Sequence, residues 1–201
     1  ICQKVIDGER IGTYPDKCNM PLSGERVLTT PEYYAYLKIA DGCNNCCTYC
    51  AIPSIRGKYR SREIEDIIEE AKSLAEKGVK ELIVVAQDTT LYGKDLYGEL
   101  KLPELLRQLN EIDGIHWIRM LYTYPDMITD ELLSVMKSEE KIVNYLDIPI
   151  QHCNKDILKK MNRYYDRESY LELIKNAKER IPDVDLTSDI IVGFTGETYE
   201  D

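Results

Sequence analysis

Four of the chain's seven cysteines fall inside Cys43-Asn44-Asn45-Cys46-Cys47-Thr48-Tyr49-Cys50, a stretch of eight residues. Cys43, Cys47 and Cys50 stand at Cys-three-Cys-two-Cys spacing, with the aromatic Tyr49 just before the last. Three thiolates on one tight loop suit three irons of a cubane iron–sulfur (4Fe–4S) cluster and leave the fourth iron without a protein ligand. An open iron can chelate the amino and carboxylate groups of S-adenosylmethionine (SAM) and pass one electron to its sulfonium. A disulfide framework fits poorly, because nothing signals secretion and thiols this close cannot all bridge. Structural zinc is the rival, making the segment a non-enzymatic zinc-binding module. Zinc sites usually draw on two separated Cys/His pairs, however, and His116 and His152 lie far downstream.

Those ligands need a core to hold them. With 201 residues, 43% of them hydrophobic, the chain can bury one sizeable core. No run of eighteen apolar residues suggests a membrane span, and no signal-peptide pattern opens the chain, so a reducing cytoplasm is expected. The chain starts on Ile1 and stops at Glu200-Asp201 in mid-pattern, which reads as a piece of a longer protein. A net charge of −10 gives no strong nucleic-acid signal, because phosphate contacts call for a basic face.

Residues 1–32 read as a linker, broken by Gly8, Gly12, Pro15, Pro21, Gly24 and Pro31. Cys2 and Cys18 stand alone in it and receive no ligand role. From residue 33 strands and helices alternate. Tyr34 to Ala40 is predicted as the strand feeding the cysteine loop. Ile64, Ile67, Ile68, Ala71, Leu74 and Ala75 then trace one helical face, capped by Ser61 and ended by Gly78. Glu81 to Ala86 is the second strand, followed by a helix opened by Pro103 with Leu105, Leu106 and Leu109. Ile115 to Tyr122 is the third strand, followed by a Thr129-capped helix with Leu132, Leu133 and Met136. Tyr145 to Ile150 is the fourth strand. Asn154 and Asp166 cap two helical pieces, the second turning Tyr170, Leu173, Ile174 and Ala177 inward. Leu186 to Val192 is the fifth. Five strand–helix units imply an α/β fold with parallel strands and outer helices. An open, partial (β/α) TIM-like barrel over 33–201, truncated after the fifth strand, is expected.

In such folds chemistry sits on the loops after the carboxyl ends of the strands. Here those are the cysteine loop, Gln87-Asp88-Thr89-Thr90, Tyr122-Thr123-Tyr124-Pro125-Asp126, Gln151-His152 and Gly193-Phe194-Thr195-Gly196-Glu197. Polar groups and glycines therefore gather at one end of the barrel.

The Cys43-x-x-x-Cys47-x-Tyr49-Cys50 spacing resembles the signature of radical SAM enzymes. From about Val27 onward the chain is similar to the methylthiotransferases of that class. The features are Ala51-Ile52-Pro53-Ser54-Ile55-Arg56-Gly57, Arg60-Ser61-Arg62, Gln87-Asp88-Thr89-Thr90-x-Tyr92-Gly93, Tyr124-Pro125-Asp126 and Pro149-x-Gln151-His152. These resemble the branch acting on ribosomal protein S-twelve. The branch acting on tRNA adenosine, which is the alternative, tends to carry Gln-Asn-Val-Asn, Ser-His-Pro and Gln-Ser at those points, and none occurs here.

The resemblance implies a core fold of the radical SAM type, with Cys43, Cys47 and Cys50 as the cluster-binding and catalytic set. Tyr49, Gln87, Asp88, Gln151, Gly193 and Glu197 become candidate cofactor contacts. Arg56, Arg60, Arg62, Tyr124 and His152 become candidate substrate contacts. The implied reaction cleaves SAM to methionine and a 5′-deoxyadenosyl radical, which takes hydrogen from the β-carbon of an aspartate in ribosomal protein S-twelve. A methylthio group is then joined to that carbon. The resemblance further implies an electron donor such as a flavodoxin or ferredoxin. It also implies a preceding domain with a second 4Fe–4S cluster that delivers sulfur, and a small β-barrel that follows.

Two positions depart from the pattern. Cys46 stands where a basic residue is common, and it leaves a second triad open, Cys43, Cys46 and Cys50. Thr195 replaces the usual proline of the last turn, removing a residue that presets φ.

Overall fold

A computed structural model describes residues 6–8, 21–24 and 26–201. Most of the stretch read as a linker, Cys2 and Cys18 included, lies outside the described residues. Among the described residues, seven strands and six α-helices are named in chain order. The first group is β1 (Tyr34–Lys38), β2 (Ala40–Asp41), α1 (Ile52–Arg56), β3 (Arg60–Ser61), α2 (Ile64–Glu76), β4 (Glu81–Val85) and α3 (Leu102–Asn110). The second is β5 (Trp117–Met120), α4 (Asp130–Ser138), β6 (Tyr145–Asp147), α5 (Lys155–Lys160), α6 (Arg167–Arg180) and β7 (Asp185–Thr187).

β1, β4 and β5 form a parallel sheet in that order, and β6 pairs in parallel with β7. A parallel bridge between Ile118 and Ile142 joins the two halves, reinforced where the Thr123 amide donates to the Asp147 carbonyl at 3.1 Å. The five parallel strands thus run side by side in chain order, with the connecting helices packed over one face. Side chains alternate across a strand. Leu82 and Val84 of β4 are fully buried with Leu105, Leu106 and Leu109 of α3 in one core cluster. The other face is more polar: Arg119 bonds Glu81 at 2.7 Å and lies 5.0 Å from the centre of the Tyr145 ring. This is the expected α/β architecture of parallel strands and outer helices.

Several local expectations are met by the caps themselves. Thr129 accepts from the Leu132 amide, Asn154 from the Asp156 and Ile157 amides, and Asp166 closes a capping box with Ser169. Gly78, at φ +94°, follows the end of α2, where the left-handed region favours glycine.

Other expectations are corrected. The first strand is not continuous to Ala40. Ile39 donates to the Val85 carbonyl but accepts from the Arg62 amide, so the chain leaves β4 and pairs Ala40–Asp41 antiparallel with β3. Ser61 does not cap α2. Its hydroxyl donates to Asp95 at 2.6 Å and its amide donates to the same carboxylate at 2.9 Å. The Ile64 amide instead donates to the Tyr97 hydroxyl at 3.0 Å. On α6 only Ala177 is buried. Tyr170 and Leu173 are partly covered against the core.

The β2–β3 hairpin sets the entry to the cysteine loop and is held from below by Arg62. That side chain is 5% exposed and donates to Glu70 (2.6 Å), the Lys38 carbonyl (2.7 Å) and the Asp66 carbonyl (3.3 Å). Above it, Gly42 takes φ +80°, and a Cβ there would lie 2.1 Å from the Lys58 carbonyl oxygen. Backbone on both sides leaves nothing to yield.

Two outcomes follow from this hairpin. Arg62→Ala should lower unfolding stability by about 2 kcal/mol, because it removes a buried guanidinium, leaves the Lys38 carbonyl without its donor and leaves Glu70 with Arg26 alone. Arg56→Ala, on an exposed residue, should stay within about 0.5 kcal/mol. Gly42→Ala should cost well beyond the roughly 1–2 kcal/mol of a left-handed alanine. Gly78→Ala, whose Cβ would meet open space, should cost only that strain. Urea-unfolding midpoints check all four, and equal losses at Gly42 and Gly78 would contradict the close approach.

Candidate functional site

Between Gly42 and Ala51 the cysteine loop has no helix or strand of its own, and its shape comes from outside contacts. At its start the Cys43 amide donates to the Gly57 carbonyl at 3.2 Å, and the Tyr59 amide donates to Asn44 Oδ1 at 3.1 Å. On the β4 side, Asn45 Nδ2 donates to Asp88 Oδ2 at 2.9 Å. On the far side the segment leaving α5 closes over the loop. Thr48 donates its amide to the Met161 carbonyl (3.1 Å) and its hydroxyl to the Lys160 carbonyl (2.9 Å). Asn162, itself left-handed at φ +59°, donates to the Cys46 carbonyl at 3.1 Å.

The loop faces a cavity of about 420 Å³ at the carboxyl ends of the strands. Cys43, Cys47 and Cys50 line it, together with Tyr49, Gln87, Asp88, Tyr124 and Gln151. Cys46 is exposed and outside the lining. The expectation that the strand-end loops converge is therefore met for the first four loops. Asp88 is 2% exposed and is the pivot of the second: besides Asn45 it accepts from Thr90 Oγ1 at 2.8 Å and the Leu91 amide at 3.3 Å. Burial pushes its carboxyl up from the ordinary range, and the hydrogen bonds from Asn45, Thr90 and Leu91 pull the other way. Burial also pushes the Cys43 thiol up, with the neighbouring Asp88, Cys47 and Cys50 adding to the rise.

The remaining candidates sit elsewhere. Gly193 lines an adjoining open groove with Thr48, Tyr49, Lys160 and Phe194, and Tyr49 meets the Phe194 ring edge-on at 6.4 Å. Glu197 closes its own turn, accepting from the Phe194 amide at 2.7 Å, and its other oxygen lies 3.6 Å from His152 Nε2. His152 is 6% exposed and accepts from the Asn154 amide on Nδ1, so it ties the last turn to the start of α5 rather than facing the cavity. Of the candidate substrate contacts, Tyr124 lines the cavity and the arginines lie outside it. Arg62 is consumed by Glu70 and backbone carbonyls, and neither Arg56 nor Arg60 lines the cavity.

Sequence reasoning missed Asn45, Arg163 and Asp189 in the lining, which also takes Tyr122 and Thr123 from the third strand-end loop and Pro149 from the Pro149-x-Gln151-His152 motif. Arg163 has no strand-end address, because it reaches the site from the end of α5. Tyr122 and Gln151 take φ +61° and +66°, unusual for residues of their bulk, and no sequence signal marks that.

The donor set suits a bound iron–sulfur group. Three thiols open on one cavity, and in its wall Gln87 Oε1 and Arg163 Nε are buried without a hydrogen-bond partner among the described residues. Among those residues no three His, Cys, Asp or Glu side chains converge as ligands of a single metal ion. Thiolates that each hold a different iron of a cubane stand farther apart than ligands of one ion.

Comparison with known proteins agrees. Curated proteins named ribosomal protein uS12 methylthiotransferase RimO are similar to this chain. The one from Clostridium tetani is 56% identical over 178 residues, covering 89% of the chain and 40% of that protein. The one from Clostridioides difficile is 57% identical over 176 residues, covering 88% and 40%. The chain thus spans less than half the length of these relatives. Among solved structures, the radical S-adenosylmethionine methyltransferase TsrM from Kitasatospora setae superposes with TM-score 0.66 at 18% identity, covering 84% of this chain and 32% of that one. The cobalamin-dependent S-adenosylmethionine radical enzyme OxsB gives 0.61 at 12%, covering 78% and 23%. These likenesses support a shared fold. The Radical SAM superfamily description matches residues 37–201, and the chain belongs to that superfamily.

Proposed function

We propose that this chain is the SAM-cleaving core of a methylthiotransferase that modifies an aspartate of ribosomal protein uS12. The observation that carries the reading is that Cys43, Cys47 and Cys50 open together on the strand-end cavity, in a segment over half identical to the named uS12 enzymes. Cys43, Cys47 and Cys50 would hold a 4Fe–4S cluster, and Tyr49, Gln87, Asp88 and Gln151 would border SAM. When bound, the cluster and SAM supply one-electron cleavage of the sulfonium and hence a carbon-centred radical.

The protein's part is positioning and exclusion of water. Asp88 fixes the loop through Asn45, so its carboxylate is a brace for the cysteines. Gln87 Oε1 keeps an acceptor free at the second strand end and would take an N–H or hydroxyl of the ligand. Tyr49 with Phe194, and Tyr124, would shield the reacting carbon from solvent. Gly193 and Glu197 shape the neighbouring groove, where Glu197 acts through the turn it closes. Arg56, exposed at the end of α1, is a candidate to meet an acidic substrate outside the cavity.

The division into a linker over 1–32 and a core over 33–201 belongs to the same proposal. So do a sulfur-delivering second cluster outside this chain, a flavodoxin- or ferredoxin-type donor and a cytoplasmic setting. No helix among the described residues is long and apolar enough to cross a membrane.

Anaerobic reconstitution should give a brown protein with about four irons, the content of one cubane. Alanine at Cys43, Cys47 or Cys50 should abolish iron binding, and Cys46→Ala should not. A bleached Cys46→Ala beside a brown Cys47→Ala would reverse the ligand assignment. With dithionite and SAM the chain should release 5′-deoxyadenosine. Expressed from the full gene in a strain lacking both methylthiotransferase activities, the protein should add mass to uS12 and leave tRNA unmodified. The opposite pattern would place it in the tRNA branch.

A further inference from the structure

Arg163 is a buried cation for which the reaction above has no use. It is 9% exposed, yet it lines the cavity. Its guanidinium lies 4.6 Å from the Tyr124 ring centre and 5.3 Å from that of Tyr165. Nη2 donates to the Pro149 carbonyl at 2.8 Å, Nη1 points at Cys47 Sγ from 3.9 Å, and Nε has no hydrogen-bond partner among the described residues. Tyr165 is itself fixed by donating its hydroxyl to the Ile150 carbonyl.

A guanidinium does not lose its proton in a protein, so burial cannot be relieved by neutralisation. An uncompensated buried charge is strongly unfavourable, and ring faces offset only part of that. None of Arg163's hydrogen bonds among the described residues goes to a carboxylate, and Asp88 and Asp126 feel its charge without bonding it. The acceptor it does face is the sulfur of Cys47, which becomes anionic when it binds iron.

We infer that Arg163 is the counter-charge of the cysteine-bound cluster, a positioning residue that raises the cluster's reduction potential through Cys47. The inference rests on the cluster reading above. Reduction adds one negative charge to the cluster, and a fixed cation with an N–H aimed at a ligand sulfur favours that more negative state. The Tyr124 and Tyr165 rings and the Pro149 carbonyl hold the cation in place in both states, so little reorganisation accompanies electron arrival.

The test compares reconstituted wild type, Arg163→Gln and Arg163→Lys in a dithionite redox titration. The observed species is the cluster whose electron paramagnetic resonance signal responds to SAM, and iron content and SAM affinity are measured in parallel. Arg163→Gln should make reduction at least tenfold less favourable, a shift of about 59 mV for one electron. Arg163→Lys keeps the charge but loses the fork, and should shift it about threefold with iron content unchanged. If Arg163→Gln fails to hold iron, the lysine variant decides, and a wild-type potential there overturns the inference. A wild-type potential in an iron-replete Arg163→Gln protein overturns it as well. So does weakened SAM binding at unchanged potential, which would assign the cation to the SAM carboxylate instead. A wild-type protein that forms no cluster removes the reading on which the inference stands, and the inference with it.

Discussion

Holding three cysteines open on one cavity is a problem of imposing shape on a segment that has none of its own. The loop from Gly42 to Ala51 gains no regular hydrogen-bond ladder, so each turn of it is fixed by a group from elsewhere. Asp88 takes the Asn45 amide on one side, and the carbonyls of Lys160 and Met161 take Thr48 on the other. Without the first anchor the loop would lose its link to the end of β4; without the second, its link to the end of α5. The two halves of the sheet are joined only lightly between β5 and β6, so the cysteine loop also ties them together at the functional end. Stability and cofactor site are in this sense one construction.

Backbone strain gathers in the same place. Among the described non-glycine residues, Cys46, Tyr122, Gln151 and Asn162 adopt positive φ: Cys46 lies in the cysteine loop, Tyr122 and Gln151 line the cavity, and Asn162 bonds the Cys46 carbonyl. Such conformations cost on the order of 1–3 kcal/mol each and persist where the surroundings over-determine them. Tyr122 is an instance: its amide donates to the Asp147 carboxylate at 2.8 Å and its carbonyl accepts from the Thr89 amide at 3.0 Å. The strain sets the direction in which the third and fourth strands hand their loops to the cavity.

Much of this was legible in the sequence because it is local. Cysteine spacing, the apolar runs of the strands, and the caps at Thr129, Asn154 and Asp166 each depend on neighbours within a few residues. What sequence reasoning misjudged depends on distant partners. Ser61 has the composition of a helix cap, but Asp95, thirty-four positions on, takes its hydroxyl. Arg62 is a candidate substrate contact by its neighbours in sequence, yet the half-buried Glu70 carboxylate eight residues away bonds it. His152 follows a strand end, as a functional histidine would, but Glu197 and the Asn154 amide turn it inward. Arg163 escaped notice for the converse reason, since it reaches Cys47 across 116 positions and no local pattern announces it.

The central claim is that three loop cysteines leave one iron of a cubane open to SAM. Mössbauer spectroscopy of protein reconstituted with iron-57, recorded with and without SAM, tests it directly. The account expects four irons of one cubane, with a single iron site changing its isomer shift when SAM is added. A spectrum in which SAM alters no iron site, or a protein that takes up zinc and no iron, would contradict it.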